Sequence, residues 1–336
     1  MTGRAAAIQG GLAALGLALA WSTWQRDTSP TTADVVLVDV TRGELERVRF
    51  DDNGKWTEFE RRKEEGGPAV WLRVGPRTVE PKSPERQIRG NEAATKFWER
   101  LAPLRGTRSL GVVDAAKQKE LALDTSRKRI VLTARGETRS FVIAMPSGGG
   151  DVYARDERDG RVYMLARSLV SDMENAAMRF TERGLHGFKP VDIARATVSA
   201  AGKRREFVQP GPQGAMTLRL ASARTPDKTD EQVTNWHDHL WRLFPSEVLG
   251  KGETPADGEP KVALKIEYAE RSGPLGFIEL ARAVAPTPAV EPAPNSATAP
   301  AGPIFYARTE YTAGWVKLPA STADLLSEGE RIATTD

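Results

Sequence analysis

One phrase is written twice in this chain. "DVYARDERDGRVYML" runs from Asp151 to Leu165, and "IFYARTEYTAGWVKL" runs from Ile304 to Leu318. Each places Tyr-Ala-Arg after an apolar residue, and each opens a second apolar cluster at the same remove: Val152 then Val162, Phe305 then Trp315. Apolar runs that flank a polar turn read as two short antiparallel strands. A hairpin that recurs so far along one chain points to a repeated architecture.

The signals around the two copies follow one order. Before the first copy, Val35 to Val40, Val48 with Phe50, and Trp56 with Phe59 read as short strands, with a turn at Asp52-Asn53-Gly54. Val70 to Val74 is a further strand, and Pro76, Pro81 and Pro84 mark a loop. "NEAATKFWERLAPL" has helical spacing, with Phe97, Leu101 and Leu104 on one face and Asn91 as its cap. Strands return at Arg129 to Ala134 and Arg139 to Ala144 around Gly136-Glu137. The hairpin through Asp159-Gly160 follows, then a helix with Leu169, Met173, Ala177 and Phe180 on one side.

Before the second copy come strands at Asp192 to Ser199 and Arg204 to Val208 about Gly202, then Met216 to Leu220. In the helix "DEQVTNWHDHLWRLF", Trp236, Leu240 and Leu243 take the places of Phe97, Leu101 and Leu104. Val262 to Tyr268 alternates cleanly, Leu275 to Val284 is its partner, and a short helix near Leu325 and Leu326 closes the chain. The expected fold is α+β: two similar lobes made by internal duplication, residues 34–190 and 191–336, each an antiparallel sheet with flanking helices. The Pro/Ala tract 285–303 is expected to be a disordered insertion in the second lobe alone.

Residues 5–24 carry no charge and one strongly polar side chain, Gln9, between Arg4 and the Arg26-Asp27 pair. Twenty such residues are long enough to span a bilayer as a helix, and Trp21 and Trp24 sit where interfacial anchors sit. The positive charge lies on the N-terminal side, which places the rest of the chain outside the cytoplasm. Residues 1–33 thus read as an anchor and tether ahead of the two lobes. Ala18-Leu19-Ala20 offers the alternative of a cleaved signal segment, with release near Ala20.

Chemistry is sparsely written. With no cysteine, thiolate metal sites, disulfides and cysteine nucleophiles are excluded. The net charge is +3, and the basic runs 61–63, 127–129 and 203–205 are scattered, so nucleic acid is not an expected partner. His237 and His239 stand two apart and face opposite sides of a helix, whereas a metal-binding helical pair stands at i, i+4. They read as polar positions of an amphipathic helix. His186 lies in a Gly-rich turn, where a capping or surface role is expected. No nucleophile elbow or nucleotide-binding loop is present, and Gly148 to Gly150 lead into no helix. Asp156, Glu157 and Asp159 read as exposed charges at a hairpin tip among arginines. No catalytic, cofactor-binding or metal residues are therefore assigned. The repeated positions Tyr153, Arg155, Tyr306 and Arg308 are the candidate partner surface, against the plainer reading of cross-strand packing.

The apolar leader, "NGKWTEF", "ELALDTSRKRIVL", "FVIAMPSGGGDVYAR" and "GRVYMLARSLVSDM", in that order, resemble the DUF 4340 family of bacterial envelope proteins. The resemblance covers most of the chain after Ala33, and the first hairpin is its most specific part. Members look like companions of ABC-type export systems related to gliding-motility transporters. What the resemblance implies is a non-enzymatic accessory subunit, single-pass in the bacterial inner membrane through residues 5–24, with its body in the periplasm and an ABC-type permease or other envelope protein as partner. Two alternatives stand beside it: an envelope scaffold that binds glycan or peptidoglycan without a transporter, and a carboxylate-dependent hydrolase.

Overall fold

The computed structural model describes residues 35–64, 67–76, 85–146, 151–210, 218–283 and 302–335. The expected span and tether, the tract 285–301, Gly148 to Gly150 and Met216 lie outside the described residues. Among those described, no helix is long and apolar enough to cross a membrane.

In chain order the first part comprises strands β1 (Val35–Val38), β2 (Leu45–Asp52), β3 (Lys55–Glu64), β4 (Gly67–Pro76) and β5 (Arg86–Arg89), then helix α1 (Glu92–Arg100). It continues with β6 (Leu104–Gly106), β7 (Arg108–Val112), α2 (Ala115–Glu120), β8 (Lys128–Ala134), β9 (Glu137–Ala144), β10 (Val152–Asp156), β11 (Arg161–Leu165), α3 (Arg167–Glu174) and α4 (Ala176–Arg179). After a 3-10 turn at Pro190–Asp192 come β12 (Arg195–Ala200), β13 (Lys203–Val208), β14 (Ala221–Ser222), α5 (Glu231–Trp241) and β15 (Glu247–Val248). Last are β16 (Lys261–Ala269), β17 (Pro274–Ala283), β18 (Ile304–Thr309), β19 (Val316–Leu318) and α6 (Thr322–Thr334).

These elements make an α+β protein of antiparallel sheets. One large sheet runs β5-β4-β3-β2-β8-β9-β10-β11-β7, the other β14-β13-β12-β16-β17-β18-β19-β15, and β1 pairs with β6 alone. Apart from β5, the two orders visit corresponding strands in corresponding sequence. The repeated phrase keeps its register: Val152 faces Leu165 and Tyr153 faces Met164 in one hairpin, while Phe305 faces Leu318 and Tyr306 faces Lys317 in the other. Gly54 and Gly202 occupy the same turn, after β2 and β12, at positive φ, where a residue without Cβ is least strained.

Each sheet buries one face under helices. In the first, Phe59 of β3 meets Phe97 of α1 at 5.1 Å, and Phe97 stacks on Phe180 at 4.9 Å. Rings at such offset spacings add to the burial that holds α1 on the sheet. Asn91 caps α1 by accepting from the Ala94 amide at 3.0 Å. In the second sheet Trp236 of α5 replaces Phe97, and its indole donates to the Leu325 carbonyl at 2.8 Å. Gly329 of α6 makes room for it, because a Cβ there would lie 2.7 Å from the indole. The two apolar cores divide near residue 181, one holding Leu37 through Phe180 and the other Leu185 through Ala333.

Several local expectations change. Leu104 is not on α1: the helix stops at Arg100, ahead of Pro103, and Leu104 pairs in β6. The helix after the first hairpin breaks at Asn175, so Ala176 is buried and Ala177 faces out. The run around Trp56 and Phe59 is a ten-residue strand. The β8–β9 turn sits on Arg135-Gly136, both at positive φ. The closing helix is long, and α2, β5, β6, β7 and β15 have no counterpart in the sequence reading. Helices are also not the only cover. Residues 113–123 lie over the opposite face at β9 to β11, packing Leu121 and Leu123 on Val142, Ala144 and Val162. Leu249 and Trp315 cover Ala281, Ala283 and Tyr306 in the second sheet in the same way.

The lobes meet edge to edge. The Lys251 amide donates to the Gln87 carbonyl of β5 at 2.8 Å, and Arg86 donates to the Val248 carbonyl at 2.6 Å. Arg86 also pairs with Glu253 at 2.9 Å.

Candidate functional site

The four candidate residues all lie on the faces turned away from the long helices, in equivalent strands, but they are not brought together. Tyr153 packs at the rim of the small core under Leu121 and Leu123, and Arg155 donates to Gln118 of α2. Tyr306 is 2% exposed, and its hydroxyl donates to Asp257 at 2.7 Å. Burial, then that hydrogen bond, pushes the Tyr306 phenol up, so it stays protonated. Lys317 donates to the same Asp257 carboxylate at 2.7 Å and, with Tyr306, holds it below the ordinary carboxylate range. Arg308 is the most exposed of the four. It pairs with Glu279 at 2.6 Å and lies 4.8 Å over the Trp315 ring.

The open half of the first sheet's outer face is more heavily built. Alternation in β2 to β5 sends Val48, Phe50, Phe59, Leu72 and Ile88 inward and leaves Arg, Trp and Glu outward. Arg49 lies 4.3 Å over the Trp56 ring and Arg73 lies 5.8 Å from it. Arg62 lies 4.8 Å over Trp71, whose indole donates to Glu64 at 2.6 Å. Glu58, with only 5% of its side chain exposed, is held by Arg73 at 2.7 Å and Arg47 at 3.6 Å. Arg73 also pairs with Glu85, and Arg89 with Glu64 at 2.7 Å. Trp56 rests flat on Gly75, where a Cβ would come within 2.7 Å of the ring. Beyond β5 the ladder reaches the other lobe: Arg89 stacks 4.1 Å over Tyr311. Guanidinium planes over indoles add cation–π attraction to their ion pairs. Arg49, Arg62, Arg73 and Arg89 are thereby each held by ring and carboxylate neighbours. The outer face of the second sheet carries Arg195, Glu206, Lys265, Glu267 and Phe277, and one arginine–tryptophan–glutamate set, Arg308 over Trp315 and paired with Glu279.

A second constellation gathers at the inner end of the second lobe, from residues the sequence gave no reason to join. His237 is not a surface position: it is 3% exposed, and its Nε2 lies 3.1 Å from the Tyr268 hydroxyl. Burial, then the nearby His186, pushes the imidazole down to about 3, so it is neutral at ordinary pH. Burial likewise pushes the Tyr268 phenol up. His186 is not a surface turn residue either. Its ring stacks on Trp241 at 4.4 Å and stands edge-on to Tyr268, with Phe188 alongside and Glu310 at 3.2 Å from Nδ1. Gly276 gives Glu310 its place, and the Phe277 amide donates to it at 2.8 Å. His239 is exposed, as the opposed helical spacing requires. The one sequence sign of this cluster is that four aromatic or imidazole residues, Trp236, His237, His239 and Trp241, fall within one helix turn and a half.

Asp156 departs from the exposed-tip reading. It is fully buried and accepts from Arg139 at 2.7 Å, and Arg139 also donates to the Leu37 carbonyl. A buried carboxylate with a fixed guanidinium partner closes the core beneath β1. Glu157 and Asp159 remain at the surface. Among the described residues no group of three or more His, Asp or Glu is placed to hold a metal. Comparison with protein-family models, curated proteins and solved structures gave no match.

Proposed function

We propose that this chain is a membrane-anchored, extracytoplasmic accessory subunit of an ABC-type transport system, of the DUF 4340 kind, that works by binding and performs no chemistry of its own. Residues 5–24 hold it in the bacterial inner membrane. Its two lobes descend from one duplicated α+β unit. The like order of strands in the two sheets and the like register of the two hairpins support the duplication.

The observation that carries the binding reading is the arginine–tryptophan–glutamate ladder on β2 to β5. Trp and Arg dominate the energetics of protein interfaces, and a surface whose side chains are already ordered loses less entropy on association. An adaptor can use this broader face of the first lobe for one contact while the second lobe serves as a spacer or contacts something else.

Purification of the full chain from membranes in mild detergent tests this. The expected result is co-recovery of a permease or ATPase subunit, lost in the Trp56→Ala, Trp71→Ala double variant while the protein stays folded. Recovery of no transporter subunit would refute the transporter assignment. Recovery unaffected by the double variant would refute the ladder as the contact.

A further inference from the structure

We propose that the second lobe carries a saccharide-binding site in the recess beside α5, where His237 and Trp241 face Pro190 and Leu218. The recess has a volume of about 360 Å³. The inference does not depend on the transporter reading.

The first observation is a comparison between the lobes. Where the first lobe presents Trp98 of α1 and Ala102 just past its end, α5 presents His237 and Trp241, and where β8 presents Leu132, β16 presents Tyr268. The fold therefore closes without a buried imidazole or phenol at this place. Burying polar groups disfavours folding unless they are satisfied. The His237–Tyr268 pair thus stands where the first lobe has Leu132 and the indole of Trp98, whose buried N–H has no partner among the described residues.

The second observation is that the pair is not closed on itself. His237 uses Nε2 on Tyr268, and Nδ1 has no partner among the described residues, although the residue is 97% buried by its 3% exposure and lines the recess. The imidazole is neutral, so one ring nitrogen carries a proton and the other does not. The Tyr268 hydroxyl can give or take a hydrogen bond, so Nδ1 serves as donor or acceptor according to which way that bond runs. A ligand hydroxyl matches both states, because it too gives and takes. A carboxylate or an ammonium group matches only one.

The remaining walls fit the same chemistry. Trp241 is half-buried, with His186 stacked on it at 4.4 Å and His237 at 5.7 Å, and its uncovered part, with Pro190 and Leu218, supplies apolar surface for C–H groups of a pyranose ring. Asn235 is exposed at the rim with a free amide among the described residues, and Asp238 and Arg242 form an ion pair there at 3.0 Å. These are hydrogen-bonding groups for ring hydroxyls, with no net charge to favour an ionic ligand.

Saturation-transfer difference NMR on the full chain in detergent tests this, with glucose, N-acetylglucosamine and tri-N-acetylchitotriose as probes. The expected result is transfer to ring protons of at least one probe, weakened tenfold or more in affinity by Trp241→Ala and also by Asn235→Ala. Asn235 is a surface side chain, so that variant keeps the wild-type unfolding midpoint and separates lost contact from lost fold. Equal affinity for the single sugars assigns a free saccharide, and binding of the trisaccharide alone assigns a residue within a glycan strand. No transfer to any probe at millimolar concentration, or transfer unchanged in both variants, would overturn the proposal.

Discussion

At the scale of single residues, two positions show how a shared fold tolerates different side chains. Trp236 is larger than Phe97, and α6 answers with Gly329 where α4 has Ala176. In most helices Gly→Ala stabilises by about 1 kcal/mol. Here Gly329→Ala would press a methyl against the indole, and we expect a net loss of roughly 1–2 kcal/mol by urea unfolding. His237 sets a pH dependence. It titrates near 6.5 when unfolded and is pushed to about 3 when folded. Below pH 6.5 the unfolded chain takes up a proton that the folded chain does not. Stability therefore falls as pH drops through this window, by up to about 1.4 kcal/mol per pH unit, and the fall ends near pH 3. His237→Phe should remove that component. Urea titrations at pH 7 and pH 5 would show a smaller stability difference for the variant than for the wild type. Neither behaviour is legible in "NWHDHLW": helical spacing orders the residues around the axis, but only the packing of β16 and the 185–190 segment decides that His237 lies inside.

At the scale of elements, the ladder depends on four neighbouring strands being in register. Arg73 alone touches Glu58, Glu85 and Trp56, residues of two other chain segments. Arg73→Ala leaves the nearly buried Glu58 with Arg47 at 3.6 Å, and we expect a loss of about 2 kcal/mol in denaturant unfolding. Arg195→Ala in the second sheet removes a half-exposed pair with Glu206 and should cost under about 0.5 kcal/mol. The strands of the ladder were readable from alternation at Val48, Phe50 and Phe59. Its outer face was not, because Arg49, Trp56 and Arg73 become neighbours only once β2, β3 and β4 pair. The same reason hid α2, whose Gln118 covers Arg155, and moved Tyr306 from a presumed surface into a small core.

At the scale of the whole molecule, the lobes have separate apolar cores and a narrow polar junction. Gly250 sits against β5, where a Cβ would lie 3.0 Å from the Gln87 amide nitrogen. Gly250→Val should therefore loosen the junction while sparing both cores. Small-angle scattering would show a larger radius of gyration, and unfolding would separate into two transitions where the wild type couples the lobes more closely.

What the sequence determined by itself was the kind and order of most of the longer elements, because these follow from local periodicity, turn residues and caps, while short pieces such as α2, β6 and β7 carry too little pattern to announce themselves. Val152 and Phe305, Asn91 and Gly202 announce their roles within a few positions of chain. The tertiary structure alone decided which polar residues are buried and which aromatic rings meet. Asp156 lies under β1, His237 faces Tyr268, and Arg89 reaches Tyr311 of the other lobe. Such pairings join residues distant in sequence, and their burial is set by the neighbours that cover them, so no local pattern records it.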